Sequence, residues 1–360
     1  MPRSPDQPRP PEDTAGRQAT VGHGSTADRR LPPDRSALSE RPAPWSREGL
    51  RARLGRLPDW HPSSPDQPEP TGGNRKGELS DGRRLRPEPL TDAEHADRVR
   101  HIRDRLEWAR EHKLTTDQQH LADPKRGIWS RDRRDAHDSI VRDLYEAASD
   151  VPCEREAIMA GGLGGAGKST VLDNHADVDR SRYVRINPDN IKEEMAKRGL
   201  VPELEGLSPM EASDLVHEES SHIAKLLAGR AMKDGRNIIW DITMSKKSGT
   251  EERLENLDLA GYFTRGIFVH IEIAEAVRRA DARHRSGHEA YRAGIGFGGR
   301  YVPPEVTEAQ ADPDWGSRNR GTFEHVKSRF SEWAVYDNSV TGRDPELIEA
   351  GHGRKPEEER

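Results

Sequence analysis

Residues 162–169 read Gly162-Leu163-Gly164-Gly165-Ala166-Gly167-Lys168-Ser169. The run satisfies every fixed position of the pattern G-x-x-x-x-G-K-[ST]. Ala157-Ile158-Met159-Ala160 before it reads as a short apolar strand, and Lys168 opens a helix. A strand, a glycine turn and a helix start turn backbone N–H groups inward around phosphate oxygens, and the helix end adds partial positive charge. Side chains in place of the glycines would block that approach. Lys168 is suited to neutralise β- and γ-phosphates and the Ser169 hydroxyl to ligate Mg2+. Thr170 closes the nucleotide-binding run.

Outward from this loop, strand and helix signals alternate over residues 155–340. Tyr183-Val184-Arg185-Ile186, Asn237-Ile238-Ile239-Trp240 and Gly266-Ile267-Phe268-Val269-His270-Ile271 read as strands, and Trp333-Ala334-Val335-Tyr336 as a last one. Pro209 to Lys233 reads as one long helix carrying Leu215, Ile223, Leu226 and Leu227. The pattern predicts an α/β fold, a parallel sheet flanked by helices of the P-loop NTPase and kinase type. Residues 151–341 are assigned to this domain. Residues 91–150 read as a helical extension. Thr91 and Glu94 have the spacing of a helix start, and Ile102, Leu106 and Trp108 give a partial apolar face. A second helix is expected from Arg131 to Ala148.

The chain has 360 residues, of which 31% are hydrophobic and 34% charged. The polarity is concentrated at the start: residues 1–90 hold 16 of the 26 prolines, with 16 Lys+Arg against 13 Asp+Glu. Such a segment buries too little apolar surface to offset the entropy of ordering it, so a disordered tail is expected. Residues 342–360 read as a polar, frayed C-terminal tail. The net charge of −6 argues against a nucleic-acid partner. Cys153 is the only cysteine, which excludes an intrachain disulfide and fits a cytoplasmic setting. No apolar run has the length of a membrane span, and the N-terminus lacks the apolar core of a signal peptide.

A phosphate loop calls for a second acidic group near the metal. Asp241 ends the strand 237–240, where such a carboxylate belongs. Ile242 follows it, so the water-activating Glu of many hydrolytic ATPases is missing at that place. No Asn-Lys-x-Asp guanine-reading run is present. Both absences favour transfer of a phosphoryl group over hydrolysis. A base is then needed. Asp189 follows the second strand, at the carboxyl edge where ligands sit in such sheets, and also reads as a helix cap. Arg278, Arg279, Arg283, Arg285, Arg292 and Arg300 follow the fourth strand, and developing phosphate charge requires such cations. Gly294 to Gly299 reads as a hinge that brings Arg300 over the phosphates. Glu218 and Glu219 are candidates for the acceptor pocket. His284 and His288 share a helix face, but with no third ligand nearby they do not read as a metal site.

The arrangement resembles the zeta toxin family of P-loop kinases over roughly residues 115–340. The resemblance rests on the loop Gly162–Ser169, on Asp189-Asn190 after the second strand, on Asp241-Ile242-Thr243 after the third and on arginines within 283–300. At the third strand the family pattern is Glu-Gly-Thr, from which Asp241-Ile242-Thr243 departs. Residues 114–120, Trp129 and Arg134-Asp135-Ala136-His137 are similar to the leading region of longer actinobacterial-type members. The resemblance implies an ATP- and Mg2+-dependent kinase with Asp189 as base. Lys168, Arg300 and one of Arg283 or Arg285 would hold the phosphates, and Thr243 would lie at the acceptor. It also implies UDP-N-acetylglucosamine as acceptor and an epsilon-type antitoxin as partner. Two other readings stay open on the residues: a polynucleotide or antibiotic kinase on the same core, and a nucleotide-dependent interaction protein.

Overall fold

Six strands make one sheet: β1 (Glu156–Gly161), β2 (Val184–Ile186), β3 (Ile238–Asp241), β4 (Phe263–His270), β5 (Glu332–Asp337) and β6 (Glu346–His352). The structure is a computed structural model that describes residues 88–353, so the expected tail over 1–90 lies outside the described residues but for 88–90. Strand order is β6-β5-β4-β1-β3-β2. The first five strands are mutually parallel and β6 runs antiparallel to β5. The longer helices are α1 (Asp92–Glu111), α2 (Arg131–Glu146), α3 (Lys168–Asn174), α4 (Pro188–Lys197), α5 (His217–Lys233), α6 (Lys247–Leu259), α7 (Ile273–Arg292) and α8 (Arg318–Val326). The mixed, mostly parallel sheet flanked by helices is the α/β architecture expected from the sequence.

The near-continuous apolar runs of the central strands follow from burial on both faces. Along β1, Ala157 and Met159 join a core with Ile186, Trp240 and Phe268. Ile158 and Ala160 point the other way, into a core with Val171, Ile239, Ile267 and Val269. Met159, Ile158 and Phe268 are essentially inaccessible. Each such side chain contributes about 1.5–3 kcal/mol by leaving water. This packing fixes the carboxyl end of β1, from which the glycine loop springs. The chain passes from β1 to β2 and β3 on one side of the sheet and to β4 and β5 on the other. The crevice beyond β1 is therefore the switch point where ligands enter open α/β sheets.

The extension packs on this core through a third cluster. Ile102, Leu106 and Ala109 of α1 meet Leu204, Leu215 and Tyr301. The spacing 102, 106, 109 is one helix face, so Trp108 turns outward, 40% exposed, against Arg105 and His112. The start of α1 is a full capping box between Thr91 and Glu94. The segment α2 is tied to α5 by a buried ionic group. Arg133 donates to both oxygens of Glu219 (2.8 and 2.5 Å), and His137 Nε2 lies 2.6 Å from the same carboxylate.

Three sequence expectations change. The helix expected from Pro209 begins only at His217. Ser208 donates from its N–H and hydroxyl to the Glu211 carboxylate, and Met210 N–H donates to the Phe297 carbonyl, so residues 208–212 fold as a turn, followed by a 3-10 helix Ser213–Val216 that leads into α5. Leu226 is exposed. The expected frayed tail instead contains β6, an edge strand with alternating exposure. Lys327 and Arg320 donate to Glu349 on β6, and Gly351 lets the Trp333 ring lie against it.

Candidate active site

The glycine loop is shaped by contacts that leave no room for side chains. Gly162 has φ +137°, and a Cβ there would stand 2.4 Å from the Val269 carbonyl oxygen of β4. Gly167 has φ +82°, with Asn338 Nδ2 2.4 Å from its would-be Cβ. Asn338, just past β5, donates from that amide to the Ala166 carbonyl (2.8 Å) and from its backbone to the His270 carbonyl. Gly167 is the N-cap of α3, so Lys168 and Ser169 are its first two helical residues. Their N–H groups are among the unpaired donors of the helix start. Ser169 and Thr170 are exposed.

Lys168 is folded back over its own loop. Its Nζ donates to the carbonyls of Gly162 (3.1 Å) and Leu163 (3.3 Å) and lies 3.6 Å from Asp241 Oδ1. The other Asp241 oxygen accepts from Asn187 Nδ2 (3.0 Å). Asn187 also takes the Asp189 N–H on its side-chain oxygen (2.8 Å). Asn187 is thus the cap of α4, followed by Pro188 at the first helical position, and Asp189 is released from the capping role the sequence suggested. The Asp189 side chain is partly exposed and pairs with Arg300 Nη1 at 2.7 Å. Lys192, one turn on and nearly inaccessible, has its Nζ 3.9 Å from the same Asp189 oxygen. Burial lowers the Lys192 pKa, and the pull of Asp189 opposes this.

Arg283 borders the same group. Packing around its guanidinium lowers its pKa, as does Arg300 nearby, and the charges of Asp189 and Asp241 oppose this. Part of its side chain stays open to solvent. Arg285 goes elsewhere. It donates to Asp92 (2.8 Å) and to the Leu90 carbonyl at the start of α1. Arg278 pairs with Glu275 and Thr341, and Arg292 donates to the Glu88 carbonyl. Arg279 flanks the loop, held by Glu275 and the Asn338 carbonyl. The glycines before Arg300 serve close packing at their end: a Cβ on Gly299 would lie 2.1 Å from the His284 carbonyl and one on Gly298 2.1 Å from Ser208 Oγ. Arg300 is carried on a strap pinned against α7.

The two glutamates separate. Glu219 is sealed in the group with Arg133 and His137. Burial alone would raise its pKa, but the hydrogen bonds from His137 and Arg133 bring it down to about 2. Glu218 lines a hollow of about 340 Å³ with Arg110, Thr115, Gln118, Asp214 and His217, walled on one side by the extension. The charges of Lys192, Asp214 and Asp189 reach His217 on its rim. Thr243 is exposed, its carbonyl held by Asn319 Nδ2 (2.7 Å). Next to it Met244 adopts φ +58° and packs on Gly161.

The structure thus gathers Lys168, Asp241, Asp189 and Arg300, with Arg283 near them, and leaves Arg285 and Glu219 outside. Asn187, Lys192 and Asn338 also belong to this group. Asn-Pro before a helix signals a cap, which points to Asn187. A lysine one turn after Asp189 points to Lys192. Asn338 has only its place after the last parallel strand.

A glycine loop at the switch point of a parallel sheet, with a lysine over it and carboxylates on the neighbouring strand ends, defines a P-loop nucleotide-binding protein. Residues 147–339, over half of the chain, match the zeta toxin family model, and the chain belongs to that family. Similar solved structures include AvrRxo1-ORF1:AvrRxo1-ORF2 with sulphate ions (15% identity, 65% of this chain and 76% of that one, TM-score 0.49). AvrRxo1-ORF1:-ORF2 with ATP is also among them (14%, 62% and 68%, 0.47). The PezAT chromosomal toxin-antitoxin system of Streptococcus pneumoniae gives 14%, 62% and 82%, and 0.44. No curated protein sequence matches the chain. No helix among the described residues is long and apolar enough to cross a membrane.

Proposed function

We propose that the protein is a kinase that transfers the γ-phosphoryl group of ATP to a hydroxyl of a small molecule. The observation that carries this reading is the position of Asp189. It follows the carboxyl edge of β2, and its backbone N–H donates to Asn187, whose side-chain amide donates to Asp241, which faces Lys168. Three contacts thus join the donor lysine to the backbone of the candidate base, and leave the Asp189 carboxylate to Arg300 and Lys192.

The residues fit both implied groups. The loop at Gly162 and Gly167 is backbone too closely packed for side chains, which suits a phosphate cradle, and Lys168 supplies the cation. Ser169 and Asp241 would hold Mg2+, which when bound neutralises charge on the phosphate oxygens. In the reaction the acceptor oxygen forms a bond to γ-phosphorus as the bond from phosphorus to the β,γ-bridging oxygen breaks. ADP leaves, and Asp189 takes the hydroxyl proton. Arg300 and Arg283 counter the charge spread over the transferring oxygens. Arg300 pairs with Asp189 at 2.7 Å; contact with a phosphate oxygen would draw it from this carboxylate and free the base.

The hollow lined by Glu218, Arg110 and His217 is the proposed acceptor site, with hydroxyl-rich ligands matched by its carboxylate, amide and hydroxyl groups. A nucleotide sugar such as UDP-N-acetylglucosamine has these groups, and Thr243, two residues past Asp241 at the end of β3, is a further proposed contact to it. Membership of a toxin family supports a role as the toxin of a toxin-antitoxin pair, with an epsilon-type antitoxin as partner and action in the cytoplasm. We further propose the division 1–90, 91–150 and 151–341, with β6 of the segment 342–360 completing the sheet of the last part. Incubation with labelled ATP, Mg2+ and a panel of nucleotide sugars tests the reading. A phosphorylated sugar nucleotide supports it, and ATP hydrolysis with every acceptor unchanged contradicts it.

A further inference from the structure

A second polar cluster lies between α1 and α7, apart from the phosphate loop. At its base, Glu211 accepts from Arg98 and Ser208, and His284 Nε2 and His288 Nδ1 stand 3.2 and 3.0 Å from one of its oxygens. Above this base, His95 of α1 places its Nε2 2.8 Å from Asp281 Oδ1 of α7. The rings of His95 and His284 are 5.5 Å apart. Ligand atoms of His95, Asp281 and His284 all lie within 4.8 Å of one another. The third ligand missing from the sequence reading of His284 is therefore supplied by the extension, 189 residues earlier in the chain.

A buried, unpaired nitrogen points to a bound cation. His284 is 1% exposed, and its Nδ1 has no hydrogen-bond partner. Buried polar atoms left without partners cost about 1–3 kcal/mol each, and native proteins rarely leave them so. Glu211, already bonded to Arg98, engages Nε2 of His284 and so leaves Nδ1 as the free nitrogen. A carboxylate behind a histidine in this way orients ligands of bound metals. Two imidazoles and one carboxylate suit Zn2+ and its neighbours, whereas Mg2+ and Ca2+ prefer oxygen. The Asp281 side chain is 51% exposed, which leaves a coordination position open to water.

We propose that His95, Asp281 and His284 bind a divalent transition metal of the Zn2+ class, joining the extension to the helix that carries Arg283. The competing occupant is a proton on His95, which would satisfy Asp281 alone. The test is a Co2+ titration of the full chain without nucleotide, read by visible absorption. Six-coordinate Co2+ at the phosphate loop absorbs only weakly, whereas four-coordinate Co2+ absorbs strongly, so an intense band reports the tetrahedral geometry of a Zn2+-class site. The proposal expects such a band at one equivalent, displaced by Zn2+ and retained in excess Mg2+. His95→Ala should abolish it. Asp281→Asn, an exposed and nearly isosteric change, should weaken Co2+ binding at least about tenfold with an unchanged circular dichroism spectrum. His222→Ala, outside the cluster, should leave the band intact. Zn2+ should raise the melting temperature of the native chain and not that of His95→Ala. The absence of an intense band, or its persistence in both His95→Ala and Asp281→Asn, overturns the metal site in favour of the proton.

Discussion

Asp189 is held between two cations, Arg300 at 2.7 Å and Lys192 at 3.9 Å, and freed from capping by Asn187. Its replacement tests a role without touching the core, since its side chain is 40% exposed. Asp189→Asn should keep the fold and lower phosphoryl transfer about 10²–10⁴-fold, the usual worth of a positioned base. Transfer measured with labelled ATP checks this, and full activity with a native circular dichroism spectrum contradicts it. Gly167 offers a second test. Any side chain there meets Asn338 and an unfavourable φ, at a cost of about 1–3 kcal/mol. Gly167→Ala should therefore weaken ATP binding at least several-fold by calorimetry, because Asn338 must release Ala166. The glycine loop and the strand-end carboxylates were legible because their chemistry is local to a few neighbouring residues. Arg285 was not: only the fold brings Asp92 to it from almost two hundred residues away, and so removes it from the phosphates.

Elements meet through a few buried polar groups, and Glu219 between α2 and α5 is the clearest. Glu219→Gln leaves Arg133 buried with a poorer partner, for an expected loss of about 3 kcal/mol or more in urea unfolding. The sign of its pH dependence follows from a folded pKa of about 2, below the ordinary carboxylate value. Its contribution is full above the ordinary value and is lost as pH falls towards about 2. Acid unfolding of Glu219→Gln should accordingly lose the part of the slope that this group supplies. The helix over 209–233 was misjudged for a related reason. Apolar periodicity continues through Leu215, but Glu211 is drawn to Arg98, His284 and His288, and the turn at 208–212 satisfies it. The edge strand β6 escaped because one of its faces is solvated, so Ile348 and the glutamates around it give no buried pattern.

Over the whole molecule, α1 appears as a strut. Its apolar face covers Leu204, Leu215 and Tyr301, and its polar residues engage Glu211, Asp281 and Arg285. A chain beginning at residue 88 should transfer phosphate as the full chain does. One beginning at residue 131 gives up the burial of Ile102 and Leu106 and should be less stable by about 3 kcal/mol or more in chemical unfolding. Equal stability of the two would show that α1 is dispensable. The alternation of strands and helices, and with it the sheet and its crevice, was readable because parallel strands are buried on both faces. The docking of the extension was not, since it depends on contacts between distant segments. The central claim concerns the fate of the γ-phosphate, and one measurement addresses it most directly: mass spectrometry of nucleotide sugars incubated with ATP, Mg2+ and either the native chain or Asp189→Asn. One acceptor should gain a single phosphate with the native chain and remain unmodified with the variant; ATP consumed with no acceptor modified, or equal modification by both, would contradict it.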